Sequence, residues 1–399
     1  MRWKSENIAY CSNVHPCATA GELFDVVDTD IRSVRERRGL DQLYAGLWLP
    51  NPVVVELLKD DVAFRSFAAR IDDANIRVVS TNGFPYGNFH DRVVKEKVYS
   101  PDWAQSARVA YTRALATLMA RVLPEECHAG TLSTLPLGFQ PQWNVGRHQM
   151  ALENLVDIAS WLADLEQSTG RRIKICLEME PGCVIETTSR MVQLFSEELP
   201  NVSAARGVAK DTVRKYLAVC FDVCHQAVMF EDVYDALSKF RKNEICVGKI
   251  QLSSALTVLD PARPEVRGKL KSFAENRYLH QVRTRVGNEI HGKMDLAEAL
   301  TDAAFPRNSS WRVHFHVPVM LDRVEEYSLG TTRRSLLRAL DFLSDNDDFA
   351  PHLEVETYTW GVIPGASHPR DREDLQAKLA SELEWVEEQM SVRKLLAGL

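Results

Sequence analysis

The chain reads as an α/β barrel, and three observations predict it. Short apolar runs alternate with longer amphipathic segments, the pattern of repeated strand–helix units and a parallel sheet. The strand-like runs number eight, which is the number that closes a barrel. Two of them end in polar groups: Ile175-Cys176-Leu177 runs into Glu178, and Leu217 to Phe221 runs into Asp222-Val223-Cys224-His225. In such a barrel the C-terminal strand ends face the mouth, so both groups are expected to point into it. A length of 399 residues suits a single barrel domain with insertions.

The strands are expected at Ile8–His15, Leu43–Leu49, Ile76–Thr81, Gly130–Leu135, Ile173–Glu178, Tyr216–Asp222, Val247–Leu252 and Leu353–Thr357. Between them, Asn144–Gln167 carries Met150, Leu152, Leu155, Ile158, Trp161 and Leu162 on one stripe. Ser335–Leu343 repeats Leu at helical spacing. A last helix, 372–396, alternates acids and bases and is expected to dock outside the barrel. The stretch 256–311 is too long for a strand-to-helix loop. With Pro261, Pro264, Pro306, Arg283 and Arg285, and a helix at Met294–Ala303, it reads as an insertion after the seventh strand, a lid over the mouth.

Composition narrows the function classes. The 45% hydrophobic and 26% charged fractions are those of a globular protein with a full core. A net charge of −7 argues against a surface built for nucleic acid. The eight cysteines lack zinc-ribbon spacing and read as buried free thiols, as in a reducing cytosol. No secretory segment and no membrane span is evident, so a cytoplasmic protein is expected. No Gly-x-Gly-x-x-Gly turn or Walker sequence points to a nucleotide.

Polar groups recur at the strand ends. Glu178 is too costly to bury unpaired, so it is either a metal ligand or a partner for a barrel Lys or Arg. Asp222 and His225 can bring a carboxylate and an imidazole into one small volume, or Asp222 can cap the next helix. Gln251 offers an amide oxygen, a weaker ligand for a hard cation. Glu356 and Glu354 share one strand face, with Glu356 nearer the mouth and Glu354 deeper. His314 and His316, at i and i+2, can chelate an ion or flank an anion. His15 and Asn82 close the first and third strands and should rim the same mouth. The Gly/Pro/aromatic loop after Asn82 is suited to wall a small-molecule pocket. His280 and Arg283, in the insertion, could close over a phosphate or carboxylate.

Taken together, Glu at the fifth strand, Asp-x-x-His at the sixth, a polar ligand at the seventh and Glu-Thr at the eighth resemble the xylose-isomerase-like barrels. These include sugar (phosphate) isomerases and epimerases, and endonuclease IV. More closely, Tyr10-Cys11-Ser12-Asn13-Val14-His15-Pro16, Thr81 to Gly87 and Leu353 to Trp360 resemble the EboE family, described as metabolite-traffic proteins of secondary metabolism. The epimerase pattern implies that Glu178, Asp222, Gln251 and Glu356 hold one divalent ion, with His225 on the substrate. Gln251 stands where those enzymes usually carry His. The endonuclease pattern places His314 and His316 where an Asp-x-His pair binds a third zinc.

The expectation is therefore a metal-dependent isomerase or epimerase of a sugar-like polyol or its phosphate, with Glu178 and Glu356 also serving as base and acid. Three carboxylates and an amide favour Mn²⁺ or Mg²⁺; a second ion at His225, His314 and His316 would favour zinc or iron. A metal-dependent phosphoester hydrolase and a non-catalytic metabolite-trafficking barrel are the alternatives. The partner is expected to be a small metabolite, and a homodimer is left open.

Overall fold

The structure is a computed structural model that describes residues 3–324 and 329–397. Eight parallel strands close into a barrel: β1 (Ile8–Cys11), β2 (Leu43–Trp48), β3 (Ile76–Asn82), β4 (Gly130–Thr134), β5 (Ile173–Glu178), β6 (Leu217–Asp222), β7 (Val247–Leu252) and, after an excursion, β14 (His352–Val355). β14 closes the ring between β7 and β1, pairing Glu354 with Gln251 and Ala9. Helices cover the outside, so these strands are buried on both faces and read as unbroken apolar runs.

The helix expected at Asn144 runs over Val145–Thr169, its first turn capped by the Asn144 side chain accepting from the Arg147 N–H. It stops at Gly170, whose φ of 70° is the left-handed conformation that ends helices. The C-terminal helix is Arg372–Val392.

Among the described residues, the barrel interior holds one ion pair with no exposure. Lys249 Nζ lies 2.9 Å from Glu354 Oε1. Room for the Glu354 carboxylate comes from Gly46 on β2, where a Cβ would sit 1.9 Å from Glu354 Oε2. Glu354 is thus the deeper, structural acid of its pair, and Lys249, hidden in an apolar run, is its partner.

Between β7 and β14 the chain builds a second, antiparallel sheet. Its strands are β8 (Ala255–Val258), β9 (Val282–Val286), β10 (Glu289–Lys293), β11 (Trp311–His316), β12 (Arg323–Val324) and β13 (Leu329–Thr331), in the order β10-β9-β11-β8-β13-β12. The expected insertion, 256–311, falls inside this sheet, which reaches on to Thr331 because Leu329–Thr331 pairs with β8. The helix expected at Met294–Ala303 is Leu296–Thr301.

Four barrel strands stop short of expectation, β2 and β4 by one residue and β1 and β14 by more. β1 ends at Cys11 and turns through Ser12–Val14, where Ser12 Oγ accepts from the Trp48 N–H. β14 ends at Val355, leaving Glu356 on the loop beyond it. All eight cysteines are free thiols, six of them buried.

Candidate metal centre

At the C-terminal end of the barrel lies a cavity of about 60 Å³. Its polar lining is Asn13, Asn82, Lys95, Tyr99, Glu178, Glu180, His225, His314, His316 and Glu356. Phe84, Pro85 and Phe89, from the loop after Asn82, wall it together with Tyr278 and Tyr358. Asp222 is fully buried and does not itself line it.

Carboxylate oxygens of Glu178, Asp222 and Glu356 all lie within 4.8 Å of one another. Each comes from a different strand end, which is how the barrel brings remote sequence together. Asp222 caps the next helix with one oxygen and leaves the other without a hydrogen bond. Oδ1 caps the next helix, accepting from the His225 N–H and the Ser253 hydroxyl, both at 2.9 Å. Oδ2 is buried and has no hydrogen-bond partner, and neither has Glu178 Oε2. Glu356 Oε1 accepts from the side-chain amides of Asn13 and Asn82.

The imidazoles are oriented by what their Nδ1 atoms touch. His225 Nδ1 donates to the Met179 carbonyl at 2.8 Å and His316 Nδ1 to the Glu356 carbonyl at 3.1 Å. His314 Nδ1 meets Gln281 Oε1 at 2.7 Å; Gln281 spends its Nε2 on the Pro181 carbonyl and Glu180, so that contact is an N–H···O bond. With hydrogens on Nδ1, the Nε2 lone pairs of all three rings are left for the interior. His225 Nε2 and His314 Nε2 face each other at 3.0 Å, and His316 Nε2 is buried without a partner. Two lone pairs do not approach so closely unless a proton or another cation lies between them. Ligating atoms of Asp222, His225 and His316 fall within 4.8 Å of one another, as do those of Cys224, His314 and His316.

The electrostatics follow from burial and neighbours. Burial pushes Glu178 up to about 8 despite the pull of His225, and lifts Glu356 well above the carboxylate range, with Glu178 and Asp222 adding to the rise. Burial also opposes ionisation of Asp222, but His225, His316 and the bonds from the His225 N–H and Ser253 outweigh it and hold the group low. Burial would discharge His225, yet Asp222, Glu178 and Glu180 raise it; His314, desolvated beside His225, is lowered. Converging carboxylates with bare buried oxygens, next to bare imidazole nitrogens, fit a divalent cation.

Not every expected residue arrives here. Gln251 faces inward beside Asp222, but its Oε1 accepts from the Cys220 thiol at 3.2 Å and its Nε2 is orphaned. His15, turned aside by the Ser12–Val14 turn, bonds Tyr10 and lies 3.5 Å from Asp30, off the cavity. His280 is held by Glu275 and the His314 carbonyl, and Arg283 by Glu186 at 2.7 Å, so neither lines it. Residues that sequence reasoning missed are Asn13, Gln281, Tyr99 and Lys249. Asn13 sits in a quoted motif, and Lys249 is a charge within an apolar run; Gln281 and Tyr99 carry no local signal.

Fold and site together define a (β/α)₈ barrel whose strand ends are fitted to hold a metal ion. Among solved structures, the chain is similar to apo 3-keto-D-glucoside 4-epimerase, YcjR, from E. coli, at 10% identity and a TM-score of 0.46, covering 96% of this chain and 99% of that one. It is also similar to the IolI protein with a binding zinc atom, at 11% identity and a TM-score of 0.46, covering 98% and 99%. No protein-family model and no curated protein matches the chain. No helix among the described residues is long and apolar enough to cross a membrane.

Proposed function

We propose that the chain is a divalent-metal-dependent isomerase or epimerase of a sugar-like metabolite, of the xylose-isomerase-like kind and akin to the EboE proteins. The observation that carries this reading is the convergence of Glu178, Asp222 and Glu356 within 4.8 Å in a buried pocket. The EboE-like motifs support it locally: Asn13 and Asn82 come from two of them, and both grip Glu356, from the third.

Glu178, Asp222 and Glu356 would hold the ion. His316, with its bare Nε2, suits the fourth position better than Gln251, whose oxygen is already engaged. This mixed oxygen and nitrogen set favours Mn²⁺, Zn²⁺ or Fe²⁺ over Mg²⁺. Once bound, the ion supplies positive charge where a substrate oxygen becomes negative. Glu178 and Glu356 take and return the proton on the carbon next to the carbonyl. His225 and His314 orient substrate hydroxyls, and the aromatic wall excludes bulk water. An unphosphorylated substrate fits better than a sugar phosphate in this cavity. Lys95 is the Lys or Arg of its lining, and it is paired with Asp295.

Elemental analysis of protein purified without chelating tags, repeated on Asp222→Ala and Glu178→Ala, tests the metal. Unchanged metal content in both variants ends the proposal. Solvent deuterium incorporation across a panel of sugars tests the proton transfer. The three converging Nε2 atoms, two facing each other at 3.0 Å and that of His316 unpartnered, favour one further reading, a second ion and metal-assisted hydrolysis of a phosphoester. Two ions per chain together with phosphate release would select it. A trafficking barrel without catalysis would instead bind its metabolite tightly with no turnover.

A further inference from the structure

Away from the metal pocket, a cleft of about 500 Å³ opens between the second sheet and the start of the Arg333–Asp345 helix. Phe230 stands in its wall, and two guanidiniums stack against that one ring: Arg312 at 4.2 Å and Arg285 at 5.2 Å from its centroid. Among the described residues neither makes an ion pair. Arg312 caps the Ala227 carbonyl, and Arg285 has only the ring. Phe230 itself adopts φ 58°, a left-handed conformation costly for a bulky side chain.

Arg334 and Arg338 add two more positive groups, and Glu231 and Asp232 are the acids of the lining. Both acids have other work. Glu231 accepts from the Thr188 backbone and hydroxyl, while Asp232 caps its own helix and lies 3.5 Å from Arg338. Among the described residues Arg285, Arg312 and Arg334 make no ion pair and Arg338 meets Asp232, which leaves a basic cleft on a chain of net charge −7.

The neighbouring helix end is partly capped, the Arg333 N–H donating to Thr331 Oγ1 and the Ser335 N–H to the Thr332 carbonyl. Thr332, at its N-cap, gives its hydroxyl oxygen to the Ala255 N–H instead of the helix, and the first turn contains no acid. Like-charged guanidiniums packed together, beside the hydroxyls of Thr257 and Ser335, suit a tetrahedral dianion.

We propose that this cleft binds a phosphate group, free or carried on a small metabolite, at a site distinct from the metal centre. The inference does not depend on the metal chemistry above. Titration calorimetry with inorganic phosphate, at ionic strength held constant with chloride, tests it on the full chain. The exposed pair offers safe variants: Arg285→Gln and Arg334→Gln leave the Arg312 cap in place. We expect saturable binding of one phosphate per chain, weakened about tenfold or more by either variant and retained by Asp222→Ala and by metal-stripped protein. Glucose 6-phosphate in place of phosphate shows whether the group is carried, by binding more tightly. No saturable heat at 10 mM phosphate, roughly the weakest affinity a small anion site would show, overturns the proposal. Binding unchanged in the double variant, or lost with the metal, overturns it equally.

Discussion

Lys249→Met tests the buried ion pair at the centre of the barrel. The substitution roughly conserves side-chain volume, so packing changes little, but Glu354 loses the cation 2.9 Å away and has no solvent to turn to. A carboxylate stranded this way must protonate. Moving an ordinary Glu, near 4.3 when unfolded, to neutrality at pH 7 costs about 3–4 kcal/mol, at 1.36 kcal/mol per pH unit. That agrees with the roughly 3–5 kcal/mol seen when one partner of a buried pair is removed. The sign with pH follows. In the variant the folded pKa of Glu354 lies above the unfolded one, so the penalty is absent below about pH 4.3 and grows as pH rises. Urea unfolding at pH 5 and pH 7.5 should therefore show the variant's deficit widening at the higher pH. Lys249→Met combined with Glu354→Leu should recover most of the loss, since apolar replacement of a buried pair is often neutral or better. A deficit that is the same at both pH values, with no recovery in the double variant, would refute the reasoning.

Three further outcomes follow from the geometry. Gly46→Ala drives a methyl into the Glu354 carboxylate and should cost about 1–3 kcal/mol or more in chemical denaturation, the range for overpacking. Asn13→Ala removes a donor to Glu356 and should weaken metal affinity roughly tenfold in a chelator competition, with the fold intact by circular dichroism. Burial lifts Glu382 to about 7 although Val319, Thr357 and Trp360 all donate to it. Its folded pKa exceeds the unfolded one, so stability from this group is present below pH 4.5 and is lost, by up to roughly 3 kcal/mol, as pH rises to 7. Glu382→Gln should flatten that slope in thermal melts between pH 5 and 8; parallel curves would count against it.

The barrel was legible because parallel strands buried on both faces leave unbroken apolar runs. Ile173–Glu178 and Val247–Leu252 were read with the observed ends. Glu178, Asp222 and Glu356 stood out for the same reason, as charges where such runs stop. The second sheet was harder to see: Val282–Val286 alternates Val, Arg, Thr, Arg, Val, which resembles a polar loop until its neighbours in space are known. His280 and Arg283 looked free in sequence, yet Glu275 and Glu186, one local and one remote, had already engaged them. Lys249 escaped notice because its partner Glu354 lies 105 positions away and becomes a neighbour only once β7 and β14 are paired.

β11 belongs at once to the second sheet and to the cavity lining, since it is paired with β8 and β9 and also delivers His314 and His316. Any displacement of that strand also displaces two imidazoles of the candidate metal centre. The placement of the second sheet and the spacing of the candidate ligands are thus mechanically one variable.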